Sequence, residues 1–131
     1  MVDDDPFVLG SCRVVFDAEG MEAVLAASAQ DAFSLIEKER YDLALVDVKM
    51  PGMDGMEFLR RVRRRPEPFP VILMTGYATQ DTLDAAAKEG AALVLPKPFT
   101  PDELLNAVQG VLPPAGQATS HGPPKGGDLT D

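Results

Sequence analysis

Four sets of polar residues in this sequence follow or precede apolar runs in a way that could assemble one reactive site. Asp47 directly follows the apolar run 43–46 and opens a loop rich in proline and glycine. Thr75 and Lys97 stand at the ends of two further apolar runs, and three adjacent acids occupy positions 3–5. In open parallel α/β sheets the carboxyl ends of the strands form the edge at which ligands bind. We therefore expect these groups to meet at one edge of a sheet.

The chemistry that suits such a group is the transfer of a phosphoryl group to a carboxylate. Clustered carboxylates repel one another, so they are tolerated where a cation lies among them, and hard oxygen ligands with room for water suit Mg²⁺. Beside such a metal the Asp47 carboxylate would be the nucleophile and would form an aspartyl phosphate. Lys97 and the Thr75 hydroxyl would each hold a phosphoryl oxygen, so that charge and positioning stabilise the transfer.

The elements that must position these groups alternate along the chain between short apolar runs and amphipathic segments. Apolar runs at 43–46, 71–74 and 92–95 predict strands that helices cover on both faces, and 22–27 predicts an edge strand. The pattern predicts helices near 7–18, 30–40, 56–65, 80–89 and 101–111. The predicted fold is a doubly wound α/β domain of the flavodoxin-like type, with a five-stranded parallel sheet in the order 2-1-3-4-5.

Composition limits the classes of function. The chain has 131 residues and a net charge of -9, which argues against nucleic acid as a direct partner. No apolar stretch approaches the roughly 20 residues that span a bilayer, so no membrane partner is expected. The single cysteine, Cys12, lies in a helical apolar pattern and predicts a core residue in a reducing, cytoplasmic setting. The single histidine, His121, lies in a Pro/Gly-rich segment, which argues against histidine catalysis.

The organisation predicted is one domain over residues 1–112 and a flexible tail or linker over 113–131. The latter segment is rich in proline and glycine and has one large apolar residue, Leu129, so it cannot bury enough surface to offset its ordering entropy.

The chain resembles a response-regulator receiver domain, the family of the chemotaxis response regulator, over roughly residues 2–112. Four short motifs carry the resemblance, and together, in this order and spacing, they are highly specific. They are Val2-Asp3-Asp4-Asp5-Pro6, Asp47 with Met50-Pro51-Gly52-Met53-Asp54-Gly55, Met74-Thr75-Gly76, and Pro96-Lys97-Pro98-Phe99.

The resemblance implies that Asp47 accepts phosphate from a sensor histidine kinase or a phosphotransfer protein. Asp3, Asp4 and Asp47, with the backbone carbonyl of Lys49, would hold Mg²⁺, and the bond between Lys97 and Pro98 would be cis. The domain would act as a switch that also loses its own phosphate, rather than as a turnover enzyme. An output partner would contact the face of the fourth helix, fifth strand and fifth helix, with a phosphorylation-dependent homodimer as one form of that contact.

Two departures from the family pattern carry their own expectations. Receiver domains usually have several apolar residues before the acidic pair, whereas here Met1 and Val2 precede Asp3, which predicts a shortened first strand and weak metal binding. Val94 stands three positions before Lys97, where the family often has an aromatic ring that follows the threonine inward on phosphorylation. Val94 cannot make that ring movement.

Other interpretations of the same residues remain. A pseudo-receiver would bind proteins without accepting phosphate. A phosphatase of the haloacid-dehalogenase type would need a second acid two residues after Asp47, where this chain has Lys49, and a flavodoxin relative would need a phosphate cradle where this chain is acidic. Asp5 and Asp54 are predicted as helix caps, and the arginine cluster 60–65 as cations at a helix carboxyl end.

Overall fold

The computed structural model describes residues 1–50, 52 and 54–112. The five helices are α1 (Pro6–Ala18), α2 (Ala29–Lys38), α3 (Gly55–Arg63), α4 (Gln80–Glu89) and α5 (Pro101–Val111). The three strands are β1 (Ala44–Asp47), β2 (Val71–Thr75) and β3 (Leu93–Pro96). Pro51 and Met53 of the motif after Asp47, and the predicted tail 113–131 with His121, lie outside the described residues.

The strands form a parallel sheet in the order β1-β2-β3, with Ala44 paired with Val71 and Ile72 paired with Leu93. Beyond β1, Val2 forms parallel bridges with Val46 on one side and Ala26 on the other. The spatial order is therefore the predicted 2-1-3-4-5 of a flavodoxin-like fold. The described residues contain three regular strands rather than five, because the first two predicted strands are each reduced to a single bridged residue.

The physical reason for this reduction lies at Val2. Among the described residues before α1, it is the one that bridges to both neighbouring segments, at Val46 and at Ala26. Its N–H donates to Leu45 O at 2.7 Å, and its carbonyl accepts from Asp47 N at 2.9 Å. On the other side, Ala26 N donates to Met1 O at 2.9 Å and Asp3 N donates to Ala26 O at 3.1 Å. The chain then turns toward α1 after Asp3. The predicted edge strand 22–27 therefore has only a short segment around Val2 with which to pair.

The central strand β2 is buried on both faces, which explains its continuous apolar run. Val71 and Leu73 belong to one core layer, which includes apolar residues of α2 and α3 and Ala86 of α4. Ile72 and Met74 belong to the other layer, which includes residues of α1 and α5. The two layers pack against both faces of β2 and so position the Thr75 backbone at the end of the strand.

Side-chain caps begin the helices, as predicted at three of them. Asp5 accepts a hydrogen bond from Phe7 N at the start of α1, and Asp54 accepts one from Glu57 N at the start of α3. Thr100 forms a capping box with Glu103, followed by a proline at the first turn of α5.

Arginines of the cluster at the end of α3 form ion pairs and hydrogen bonds with neighbouring residues of the fold. Arg60 pairs with Glu57 at 3.1 Å and with Glu89 of α4 at 3.3 Å. Arg61 pairs with Glu57 at 2.9 Å, and Arg65 donates to the carbonyl of Ile36 at 3.1 Å. These contacts confirm the structural interpretation of the cluster for three of its arginines.

Gly55 permits the close approach of α3 to the loop that follows β1, and its replacement tests this constraint. A Cβ at Gly55 would lie 2.4 Å from the carbonyl oxygen of Asp47. Gly55→Ala is expected to lower the free energy of unfolding by about 1–3 kcal/mol, the usual cost of overpacking. Urea unfolding followed by circular dichroism measures it.

The matched control is Gly10→Ala within α1, where a Cβ would meet nothing within 4 Å. Alanine there should stabilise the helix by about 0.5–1 kcal/mol because glycine loses more backbone entropy on folding. Equal effects of the two alanines would show that the approach at Gly55 does not constrain the fold.

Candidate functional site

The candidate site lies at the carboxyl edge of the sheet, where successive strands end in polar residues. Asp47 and Thr75 are the last residues of β1 and β2, and Lys97 directly follows β3. Asp3 directly follows the bridging residue Val2. Because all these pairings are parallel, the side chains emerge at the same edge. The structure thus brings together the acids, the hydroxyl and the lysine that the sequence predicts for the site.

A partly buried ion pair lies at this edge. Lys97 Nζ donates to Asp3 Oδ2 at 2.7 Å and lies 3.4 Å from Asp47 Oδ1. Asp3 is fully buried, and its other oxygen, Oδ1, accepts from Asp5 N at 3.0 Å. Both oxygens of the buried carboxylate therefore have a donor, as a carboxylate away from water requires. The same ammonium is held next to Asp47.

The positive charge of Lys97 does not fully compensate the negative charges of Asp3 and Asp47. Burial and the neighbouring Asp3 carboxylate raise the pKa of Asp47 above its ordinary value, although Lys97 opposes the shift. Burial acts to lower the pKa of Lys97, but its hydrogen bond to Asp3 and the attraction of both acids outweigh this, so its pKa is raised. Lys97 is thus a permanent cation, and the acids around it are not fully neutralised by it.

The acidic cluster fits a hard divalent cation. Carboxylate oxygens of Asp3, Asp4 and Asp47 all lie within 4.8 Å of one another. Asp4 is exposed while the other two are buried, so the cluster opens to solvent on one side. Several carboxylate oxygens with room for water match the preferences of Mg²⁺. The fourth predicted ligand, the carbonyl of Lys49, belongs to the loop two residues after Asp47, and its part in the set stays a prediction.

The second border of the site is formed by Thr75 and the loop after it. Thr75 is buried, and its Oγ1 accepts a hydrogen bond from the backbone N–H of Tyr77 at 3.0 Å. The hydroxyl proton is therefore free to be donated elsewhere. A Cβ at Gly76 would meet nothing within 4 Å, so this glycine leaves open space at the edge. Lys49 reaches across to this loop, with its Nζ 4.6 Å from the centre of the Tyr77 ring.

Two contacts of the site escape sequence reasoning. The sequence suggests that Lys97 awaits a phosphoryl oxygen, whereas the structure shows it bound to Asp3, 94 residues away. The contact between Lys49 and Tyr77 is likewise set by side-chain conformation. Two other expectations are confirmed: the bond between Lys97 and Pro98 is cis, and Cys12 is buried in the core. Burial also raises the pKa of the Cys12 thiol.

Comparison with known proteins identifies the family. The chain matches the response regulator receiver domain over residues 1–109. It is 39% identical over 113 residues to sporulation initiation phosphotransferase F of Bacillus subtilis, which covers 86% of this chain and 91% of that protein. It is 31% identical to the transcriptional regulatory protein FixJ of Bradyrhizobium diazoefficiens, covering 86% of this chain and 55% of that one.

Solved structures agree with this result. The chemotaxis response regulator CheY4 of Vibrio cholerae superposes with a TM-score of 0.80 at 31% identity, covering 85% of this chain and 94% of that one. A CheY-like receiver domain protein from Methanospirillum hungatei gives a TM-score of 0.76 at 35% identity, covering 83% of this chain and 87% of that chain.

The fold and the matches define a receiver domain of two-component signalling. The chain belongs to the response regulator receiver domain family. Receiver domains are signalling modules rather than conventional enzymes; the family binds Mg²⁺ at an acidic pocket and interacts with histidine kinases or phosphotransfer proteins and with output domains. No helix among the described residues is long and apolar enough to cross a membrane.

The raised pKa of Asp47 predicts a pH-dependent gain in stability when its charge is removed. When the pKa of a carboxyl group is higher in the folded than in the unfolded state, the group stabilises the fold at pH values below its unfolded-state pKa, near 3.8. This contribution is lost as the pH rises through the raised pKa of the folded state. Asp47→Asn should therefore raise the urea midpoint at pH 7, and the gain should shrink as the pH is lowered toward 3.8.

Asp4→Asn removes one charge from an exposed member of the same cluster and is the matched control. It should give a smaller gain at pH 7. If Asp47→Asn is no more stable than the parent protein at pH 7, then neighbouring positive charge already compensates the Asp47 carboxylate, contrary to this prediction.

Proposed function

We propose that this receiver domain accepts a phosphoryl group on Asp47 from the phosphohistidine of a histidine kinase or of a phosphotransfer protein. One Asp47 carboxylate oxygen forms the new bond to phosphorus as the bond from phosphorus to the histidine nitrogen breaks, and the imidazole leaves with the bonding electron pair. The observation that carries the proposal is the position of Asp47: at a strand end, within 4.8 Å of two further carboxylates and 3.4 Å from Lys97.

The protein's own groups would act by charge and position. When bound by Asp3, Asp4 and Asp47, a Mg²⁺ ion would supply positive charge for the phosphoryl oxygens. Lys97, already 3.4 Å from Asp47, would contact another phosphoryl oxygen while Asp3 keeps it in place. The Thr75 hydroxyl has a proton free to donate to a third. Water would later hydrolyse the acyl phosphate, so that the domain resets itself.

The phosphorylated domain would signal through the face of α4, β3 and α5. Leu83 of α4 and Leu93 of β3 are large apolar residues that stay exposed on this face. The relative of nearly equal length is named a phosphotransferase of sporulation, whereas FixJ is a transcriptional regulator of which this chain spans 55%. The exposed face could serve two purposes. The domain could pass the phosphoryl group to a further protein, or it could control an output partner, including a second copy of this chain.

The proposal takes residues 1–112 as the signalling unit, with 113–131 as a tail or linker, in the cytoplasm. A buried, unpaired Cys12 thiol fits a reducing compartment. The acidic surface of the domain argues against direct contact with nucleic acid.

Phosphorylation is tested by intact-mass spectrometry after incubation with acetyl phosphate and Mg²⁺. One phosphoryl mass gain is expected in the parent protein, which should disappear in Asp47→Ala and in the presence of a metal chelator. Asp17→Ala, which removes an exposed acid of α1 remote from the cluster, should retain the gain. A parent protein without the mass gain would identify the chain as a pseudo-receiver.

Metal binding is tested with Mg²⁺ alone. A ligand that binds only the folded state adds about 1.4 kcal/mol of stability at ten times its Kd, so Mg²⁺ should raise the Tm of the parent protein. Asp4→Asn should remove at least half of that rise, and Asp17→Asn, with the same change of charge on α1, should leave it intact. An equal rise in all three proteins would contradict a site at the cluster.

A further inference from the structure

Lys49 and Tyr77 connect the two loops that border the acidic cluster. Lys49 lies two residues after Asp47, and Tyr77 lies two residues after Thr75. The Lys49 ammonium stands over the Tyr77 ring at 4.6 Å from its centre, a cation–π contact. In the part of the chain that the structure describes, no carboxylate forms an ion pair with Lys49. Among the described residues, the contact that holds its charge is the one with the Tyr77 ring.

Tyr77 is also connected to Thr75 through its backbone. The Tyr77 N–H donates to Thr75 Oγ1 at 3.0 Å, so a displacement of the hydroxyl draws the Tyr77 backbone with it. The ring itself is 66% exposed and has room to leave its present position. Two residues further on, Thr79 caps the start of α4. Tyr77 therefore lies on the short segment that connects Thr75 to the start of α4.

We propose that the contact between Lys49 and Tyr77 is a latch that phosphorylation of Asp47 releases, so that the Tyr77 ring becomes the aromatic group that moves. This inference rests on the proposed function, since the phosphoryl group on Asp47 is what opens the latch. Lys49 turns from the ring toward the phosphoryl oxygens, and the freed ring follows the Thr75 hydroxyl. The movable ring thus lies two residues after the threonine.

The direction of the switch follows from the relative strength of the two contacts. Phosphorylation replaces the single negative charge of the Asp47 carboxylate with about two negative charges on the phosphoryl oxygens at neutral pH. The attraction between an ammonium and such an anion exceeds an exposed cation–π contact. Lys49 therefore exchanges partners when the charge arrives and returns to the ring when the phosphoryl group is lost.

Val94 cannot act as the moving aromatic group, because its side chain has no ring. Val94 is half-buried and packs against the core layer formed with α2 and α3, so it offers neither a ring nor free space for one to move. Tyr77 has both, and it borders the same reactive edge. The chain therefore carries its aromatic switch on the loop before α4 and not on β3.

The test uses a single fluorine label on Tyr77. The chain has two tyrosines and no tryptophan, so 3-fluorotyrosine in a Tyr41→Phe background reports on Tyr77 alone. The Tyr41 hydroxyl is buried and has no hydrogen-bond partner among the described residues, so phenylalanine should be tolerated there. Fluorine NMR is recorded before and after acetyl phosphate and Mg²⁺, and intact mass is measured on each sample.

The Tyr77 resonance is expected to move with the phosphoryl mass gain. In Lys49→Met it should already stand near the released position, and its change on phosphorylation should be less than half of that in the parent protein. Lys49→Arg keeps a cation over the ring and should retain the parent behaviour.

The outcomes separate the latch from the phosphoacceptor role. A mass gain with an unmoved resonance, or a Lys49→Met resonance identical to that of the unphosphorylated parent, overturns the latch and leaves Asp47 as phosphoacceptor. Absence of a mass gain overturns the phosphoacceptor role and the latch together.

Discussion

The ion pair between Asp3 and Lys97 is the interaction on which the rest of the site depends. A carboxylate with no exposed surface is tolerated only if its oxygens are matched by donors, and Asp3 has Lys97 on one oxygen and a backbone N–H on the other. The pair joins the start of the chain to the segment after β3. It therefore adds a side-chain link to the backbone bridges of Val2 and sets the ammonium beside Asp47.

The same pair leaves the edge of the sheet with more negative than positive charge. One ammonium serves the buried Asp3 and lies close to Asp47, while Asp4 adds a third carboxylate within 4.8 Å. Burial and Asp3 accordingly raise the pKa of Asp47. Such an arrangement is unfavourable for stability and suitable for a metal ion and a phosphoryl group. Natural proteins depart from local rules of stability mainly at functional sites, and this edge is such a place.

The sequence predicts the parts of this structure that depend on local pattern. Continuous apolar runs predict strands covered on both faces, and the buried strands β1 and β2 confirm this. The prediction is wrong for β3, the last strand of the sheet, where Leu93 is exposed. A hydroxyl, a proline and two acids predict the start of α5, where the capping box is found. The alternation of strands and helices in a doubly wound domain predicts the strand order, and the bridges of Val2 agree with it.

What the sequence could not predict depends on side-chain conformation and on contacts between distant residues. The reduction of the edge strand 22–27 to Ala26 follows from how far Val2 can pair, which no pattern within 22–27 reports. Lys97 could bind any of several acids at this edge, and spacing does not select Asp3. The contact of Lys49 with Tyr77 requires that two loops meet, which is a property of the folded sheet.

Of the clustered acids, we propose Asp47 alone as the nucleophile. Reduction of the acyl phosphate with borohydride converts the phosphorylated aspartate into homoserine, and peptide mapping by mass spectrometry then reports its position. Homoserine at position 47, formed only when acetyl phosphate and Mg²⁺ are both present, is the result expected. Homoserine at Asp3 or Asp4, or an unmodified Asp47 peptide, would contradict the account.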